Sequence, residues 1–246
     1  MTKSPHVDPA PISPLDYCVR ISKRARYLQL RVNGSGGIEV VVPQGCDTRT
    51  VPLFVARHRD WLERTVARLQ AGRIEDPTLG AALPERIWLR ALDEDWQVVL
   101  EPALGPRVSG APAGGGQLRV GGMQPDQRRG LLQGWLTLRA RRALEPWLRA
   151  VSEEIGLAYT RCSVRAQKTR WGSCSPRNTI SLNRGLLFLP AGLVRYLFVH
   201  ELCHTVHRNH SRRFWALVAR HEPDYKRLDA QLREAARYVP LWACRD

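Results

Sequence analysis

The segment HELCH at residues 200–204 constrains the fold more than any other part of this 246-residue chain. Leu193, Leu197 and Val199 precede it at the spacing of a helix that buries an apolar face. Residues four positions apart lie one turn apart on the same side of a helix, so both imidazoles of the segment can reach a single ion. The sequence therefore predicts a metal-binding helix that packs against a sheet.

The same segment predicts a hydrolytic site. Zinc held by neutral imidazoles lowers the pKa of a bound water towards ~7. A neighbouring carboxylate can take the proton of that water and pass it to a leaving amine. We therefore predict His200 and His204 as zinc ligands and Glu201 as the catalytic base of a zinc-dependent hydrolase. The alternative is a structural helix with two incidental histidines.

Zinc in a catalytic site needs a third protein ligand. His210 is the favoured candidate, because Asn209 can end the helix and return the chain towards the ion from a new direction. Glu222 would suit a site in which a downstream helix supplies a carboxylate. His207 lies a turn beyond His204 on an unbroken helix, which favours an outer or surface position.

Periodicity and turn residues predict a mixed α+β chain. The elements are a Pro-rich leader over 1–16, a hairpin over 28–42, one helix over 48–69, and strands over 87–100 and 118–120. A helix follows over 126–155 with a break or kink at Pro146, and then a hairpin over 162–183. The last two helices cover 190–207 and 211–238, the second one capped by Ser211 and broken near Pro223.

Charge and composition limit the partners. The net charge is +15, and it is carried almost entirely by arginine, which favours anionic partners such as nucleic acid. Arg139, Arg141 and Arg142 are expected to form a solvated helix face. No cysteine pair has C-x-x-C spacing, and no apolar run resembles a signal peptide or a membrane span. We expect a cytoplasmic protein without a membrane partner.

Several motifs together resemble one family. These are RWGSC at 170–174, ISLN at 180–183, HELCH at 200–204, NHS at 209–211 and FW at 214–215. They resemble the YgjP-like zinc metallopeptidases, which are relatives of the SprT and WLM-type proteases. The resemblance covers roughly residues 18–235 and is sharp between 165 and 215.

The resemblance implies that His200, His204 and His210 are the ligands and that Glu201 is the base. It also implies a zincin-like catalytic core over 126–246, preceded by a β-rich region with one helix over 17–125. The SprT and WLM relatives include proteases that act on DNA-bound proteins. A nucleic-acid-associated protease is therefore an alternative to a general peptidase that acts on peptide or protein substrates.

The residues before the helix have two interpretations each. Arg170 would stabilise an oxyanion or dock a carboxylate, and the strand that carries Ser173 would bind substrate backbone. In the structural interpretation Trp171 fills the core and Gly172 permits close packing. Asn183 is interpreted either as a turn residue or as a backbone clamp. Two further alternatives for the whole chain are a non-catalytic metal-binding protein and a hydrolase of non-peptide amides.

Overall fold

The structure is a computed structural model that describes residues 16–23, 25–32, 37–71, 83–110 and 114–244. The predicted leader, apart from residue 16, lies outside these ranges, as does most of the predicted turn at 33–37. The chain divides into two compact units, residues 1–67 and 68–246. The strands over 86–120 belong to the second unit.

The first unit contains a three-stranded sheet and two helices. Its elements are β1 (Tyr17–Ser22), β2 (Gln29–Val32), β3 (Ile38–Pro43), α1 (Val51–Arg57) and α2 (Arg59–Ala71). The central strand β3 pairs parallel with β1 and antiparallel with β2, which confirms the predicted hairpin. Its buried Val40 and Val42 pack with Val55 of α1 and Leu62 of α2. The single predicted helix over 48–69 is two helices, because α1 ends at Arg57.

The second unit begins with a four-stranded sheet. Its strands are β4 (Arg86–Leu89), β5 (Glu94–Leu100), β6 (Val108–Gly110) and β7 (Gly116–Val120), in the order β4-β5-β7-β6. The predicted strand over 87–100 is an antiparallel pair. Asp93, whose φ is +51°, turns the chain between the two strands.

A long helix follows this sheet. It is α3 (Pro125–Ile155), and its buried stripe includes Leu132, Leu136, Leu144 and Leu148 at four-residue spacing or multiples of it. The helix continues through Pro146 without interruption, so the predicted break is absent. Proline has no N–H, so the carbonyl one turn before Pro146 lacks its usual helical hydrogen bond. Because Pro146 is exposed, that carbonyl lies on the solvent side of the helix.

The remaining strands form a second sheet in this unit, which precedes three helices. The elements are β8 (Arg161–Arg165), β9 (Gly172–Cys174), β10 (Thr179–Asn183), α4 (Ala191–Cys203), α5 (Arg212–His221) and α6 (Tyr225–Arg233). β10 is the central strand, antiparallel to β9 as predicted for a hairpin but parallel to β8. Ser211 caps α5 by accepting a hydrogen bond from the Phe214 amide at 3.4 Å, and the chain breaks near Pro223 as predicted.

The last residues of the described chain are held to α3 through their backbone. Gln133 donates from Nε2 to the carbonyl oxygens of Trp242 and Cys244 at 2.8 and 3.0 Å. The buried Arg184 donates to the carbonyl oxygen of Ala243 at 3.0 Å and to that of Gln133 at 2.9 Å. The segment 241–244 is therefore an integral part of the second unit.

Arg139 is not part of a solvated face. Its guanidinium forms a doubly hydrogen-bonded ion pair with Glu94, and the two side chains are 11% and 6% exposed. Glu94 also accepts hydrogen bonds from the amide of Gly114 and from Trp96 Nε1. These hydrogen bonds, together with Arg139, lower the pKa of Glu94 against the opposing effect of burial. None of the helices within the described ranges combines the length and the apolar character needed to cross a membrane.

Candidate metal centre

The C-terminal end of α4 carries the first two histidines of the site. α4 is buried on almost all sides, and His204 is its C-cap residue, so the helix ends earlier than the predicted residue 207. The rings of His200 and His204 have centroids 5.0 Å apart, as expected for residues one turn apart. Both side chains therefore face the same space at the end of the helix.

The chain after α4 reverses and brings His210 to the same place. Three backbone hydrogen bonds form the turn, from Thr205 to Leu202 and from Val206 and His207 to Cys203. His210 Nε2 then lies 3.1 Å from His200 Nε2. In the described part of the chain, His200, His204 and His210 form the one group of potential metal ligands, with donor atoms within 4.8 Å of one another.

The other candidates for a third ligand lie elsewhere. Glu222 is the C-cap residue of α5 and pairs with Arg195 at 3.6 Å. His207 lies beyond the helix end, and its carbonyl oxygen lies 3.0 Å from His204 Nδ1. A hydrogen bond from that nitrogen to a carbonyl requires the proton on Nδ1, which leaves Nε2 of His204 with a free lone pair.

Burial favours the neutral form of the His200 and His204 imidazoles. Burial, followed by the neighbouring His204 and His210, lowers the pKa of His200 to about 4, although Asp229 acts in the opposite direction. Burial is also the largest cause of the lowered pKa of His204. Neutral imidazole is the form that binds a metal ion, so these two side chains are suited to that role.

The three histidines have the chemistry of a metal site, and the pair His200 and His210 has the spacing of two nitrogens on one tetrahedral ion. Two nitrogens bound to one tetrahedral zinc at its usual bond length lie about 3.3 Å apart, close to the 3.1 Å between His200 and His210. Three protein nitrogens leave a fourth position for solvent or substrate. The ring of His204 stacks on Phe214 at 4.4 Å, and that of His210 stacks on Trp215 at 5.6 Å. These aromatic rings hold the imidazoles in place.

Glu201, which follows His200 in the sequence, is a buried residue. It is only 5% exposed, and among the described residues its Oε2 has no hydrogen-bond partner. Burial raises its pKa to about 8, although the positive charge of Arg170 acts in the lowering direction. A buried carboxyl with one unsatisfied oxygen is unfavourable for folding, and such groups mark functional sites.

Gly172 of β9 lies directly against this carboxylate. A Cβ atom at position 172 would be 2.7 Å from Oε1 of Glu201 and 2.9 Å from its Cγ. The close packing predicted for Gly172 is thus a contact with Glu201. β9 lies at the edge of its sheet, whose strand order is β8-β10-β9. It therefore pairs with β10 along one of its two sides.

Asn183 holds the chain that leads to β9. Its Nδ2 donates to the carbonyl oxygens of Gln167 and Arg170 at 2.8 and 2.9 Å, and its Oδ1 accepts from the amide of Gly185 at 2.9 Å. It is therefore both a backbone clamp and a turn residue. The clamp fixes the backbone of Arg170, whose side chain is exposed.

The other residues of the RWGSC motif have mixed environments. Ser173 is half-buried and pairs in register with Ser181 of β10. Trp171 packs against the core and donates to the carbonyl oxygen of Leu232 at 3.2 Å, in agreement with its structural interpretation. Cys203, inside the HELCH segment, is fully buried as expected of a small apolar residue.

Zinc affinity will identify the third ligand. Replacing His210 with Ala is expected to weaken zinc binding at least about tenfold, because one of three protein ligands is lost. Replacing Glu222 with Ala is expected to leave it within about twofold, since Glu222 pairs with Arg195. Competition with a chromophoric chelator measures both affinities. If Glu222→Ala weakened zinc binding more than His210→Ala did, Glu222 would be the third ligand.

Most of the chain matches one family. The model of the family described as YgjP-like, metallopeptidase domain, matches residues 26–235. This match confirms the family resemblance indicated by the motifs between residues 165 and 215. No curated protein matches the chain.

Two solved structures match a smaller part of the chain. The metallopeptidase zymogen of Pyrococcus abyssi abylysin is 24% identical, with a TM-score of 0.33 over 36% of this chain and 90% of its own. The metallopeptidase zymogen of Methanocaldococcus jannaschii jannalysin is 15% identical, with a TM-score of 0.34 over 37% of this chain and 94% of its own.

Proposed function

The chain belongs to the family of YgjP-like metallopeptidase domains, and from this premise we propose that it is a zinc-dependent peptidase acting on peptides or proteins. One observation carries the proposal. The imidazole nitrogens of His200, His204 and His210 lie within 4.8 Å of one another, and the buried Glu201 neighbours the first of them in sequence. This combination supplies a metal site and a proton acceptor in one desolvated place.

The proposed mechanism assigns a task to each side chain. His200, His204 and His210 would hold the zinc ion, which when bound polarises a carbonyl group and makes a water molecule more acidic. Glu201 accepts the proton of the attacking water and then delivers it to the leaving amine nitrogen. The surrounding apolar residues of α4 exclude bulk water, which strengthens these electrostatic interactions.

The proposed substrate contacts lie on β9 and the loop before it. An extended peptide would add to the exposed edge of β9 through backbone hydrogen bonds, at the level of Gly172 and Ser173. Arg170 would dock a carboxylate or stabilise negative charge on the carbonyl oxygen. The proposed zincin-like core over 126–246 would then comprise α3 to α6 and the sheet β8-β10-β9.

Digestion of a peptide library tests the peptidase proposal. The zinc-loaded protein is expected to cleave peptide bonds, and the protein treated with a chelator is expected to leave the library intact until zinc is restored. A non-catalytic metal-binding protein would bind zinc and cleave nothing. Hydrolysis of small amides with an uncleaved library would indicate a non-peptide amidase.

The charge around the site favours a second candidate, a protease associated with nucleic acid. Between Glu154 and Glu222, Glu201 is the sole acidic residue. The exposed basic residues of this stretch are Arg161, Arg165, Lys168, Arg170, Arg177, Arg208, Arg212, Arg213 and Arg220. Such a surface binds duplex DNA with an affinity that falls steeply as salt rises. Absent or salt-insensitive binding at low ionic strength would argue against this candidate.

A further inference from the structure

The side chain of Arg208 crosses from the metal-binding part of the chain to the turn between β9 and β10. Its Nη1 donates to the carbonyl oxygen of Ser175 at 2.8 Å and to Cys174 Sγ at 3.7 Å. Its Nη2 donates to the carbonyl oxygen of Pro176 at 3.1 Å and to Asn178 Oδ1. One guanidinium therefore contacts four consecutive or near-consecutive residues of a single turn.

Several hydrogen bonds hold the turn between β9 and β10 in place. The amide of Asn178 donates to the carbonyl oxygen of Ser175 at 3.0 Å, and Ser175 Oγ accepts from the amides of Arg177 and Thr179. Asn178 has a φ of +54°, the left-handed conformation that asparagine tolerates in turns. Thr160 Oγ1 donates to the carbonyl oxygen of Arg177 at 2.6 Å, which fixes the turn to the chain before β8.

The segment that contains Arg208 has few other attachments. Residues 208–210 are all exposed. Within the described chain, the hydrogen bonds of this segment are those of the Arg208 side chain and the contact of His210 Nε2 with His200. Without Arg208, the position of the third histidine would depend on its ring contacts alone, which lie at 4.7 to 5.6 Å from the rings of His204, Phe214, His200 and Trp215.

We propose that Arg208 is a positioning residue that holds His210 in place for metal binding. The inference rests on the metal site of the proposed function but does not depend on peptide cleavage. If the segment is ordered before the ion arrives, binding does not have to restrict the backbone of three residues. Ordering a backbone segment is entropically unfavourable, so loss of the anchor weakens metal binding.

The planar guanidinium is suited to this role, because its several N–H groups point in fixed directions. A lysine ammonium carries the same charge but cannot reach four acceptors in that arrangement. Arg208→Ala is therefore expected to raise the zinc Kd about 10- to 100-fold, the range typical of groups that orient a metal ligand. Arg208→Lys is expected to recover no more than a small part of the loss.

Competition between the full-length apo protein and a chromophoric chelator for zinc measures this effect. Arg220→Ala is the matched control, because it removes an exposed arginine from the end of α5. Its zinc Kd is expected to stay within about twofold of wild type. If Arg208→Ala and Arg220→Ala raised the zinc Kd by similar factors, or if Arg208→Lys restored the wild-type Kd, the effect would come from positive charge. The geometry of the guanidinium would then have no part in zinc binding.

A double-variant cycle with Asn178→Gly tests the contact itself. Glycine removes the Oδ1 acceptor and adopts a positive φ without strain. Asn178→Gly is expected to raise the zinc Kd by a smaller factor, and in the Arg208→Ala background it is expected to add little. Effects that multiply independently would overturn the proposal. A wild-type protein that binds zinc but cleaves no peptide would leave it intact and overturn only the peptidase assignment.

Discussion

Glu201→Gln is expected to lower kcat for peptide cleavage about 10²- to 10⁴-fold, the usual contribution of a general base. Glutamine has the same shape but accepts no proton at neutral pH. Zinc affinity is expected to stay within a few fold of wild type, because Glu201 is outside the group of three ligands. The melting temperature is expected to change little, since a buried carboxyl group with an unsatisfied oxygen is replaced by an amide of the same shape.

Glu222→Gln is the matched control for that experiment. It makes the same chemical change at a carboxylate that pairs with Arg195 at 3.6 Å, and cleavage is expected to be retained. Peptide cleavage is followed as initial rates on zinc-loaded protein, with metal content measured on the same samples. Wild-type rates in Glu201→Gln would remove this residue from the mechanism.

Gly172→Ala is expected to lower kcat about 100-fold while the protein stays folded. The added Cβ would lie 2.7 Å from Oε1 of Glu201, closer than the van der Waals separation of carbon and oxygen, so one of the two groups must move. The Glu201 side chain is the more easily displaced of the two, so it shifts and the base is misplaced. A displacement of about 1 Å in a catalytic group can reduce the rate about 100-fold.

The control for Gly172→Ala is Gly192→Ala in the first turn of α4, where an added Cβ meets nothing within 4 Å. That change is expected to leave kcat unaltered and to stabilise the helix by up to about 1 kcal/mol. In the Glu201→Gln background, Gly172→Ala is expected to cause little additional loss. An equal additional loss would mean that position 172 acts on the substrate and not through Glu201.

The part of the site that lies on one helix could be predicted from sequence alone. The spacing of His200 and His204 places them on one face whatever the rest of the chain does. The choice of His210 rested on Asn209 as a helix end, but α4 ends at Cys203, and only the helix start predicted at Ser211 is confirmed. The exact end of α4 at Cys203 was not predictable from this pattern, because Val206 and His207 continue the same periodicity.

Contacts between distant segments were beyond such an argument. Gly172 and Glu201 are both visible in the sequence, but no spacing rule pairs residues 29 positions apart. The same holds for Arg208 and Asn178, which meet only when the reversal after α4 reaches the β9–β10 turn. Arg139 lies beside two exposed arginines in sequence, and its buried partner Glu94 is 45 positions away.

The fold itself followed the sequence where the pattern was strong and local. The helix α3 was predicted from the apolar spacing of Leu131, Trp135 and Leu138 and of Trp147, Val151 and Ile155, although its buried stripe also includes Leu132, Leu136, Leu144 and Leu148. The turn at 175–178 predicted the β9–β10 hairpin. The parallel pairing of β8 with β10 was missed, because parallel strands need not be neighbours along the chain. The helix-breaking tendency of proline predicted a break at Pro146. The helix is continuous there, because burial of the opposite face of α3 stabilises it.

The attachment of residues 241–244 to α3 has an evolutionary consequence. Gln133 and Arg184 recognise this segment through the carbonyl oxygens of Trp242, Ala243 and Cys244, which every amino acid carries. Side-chain identity at these positions is therefore weakly constrained by the hydrogen bonds, whereas chain length is strongly constrained. Packing of the buried Ala243 and of Trp242 beside Phe188 is what limits substitution here, whereas a deletion would leave the buried guanidinium without one of its acceptors.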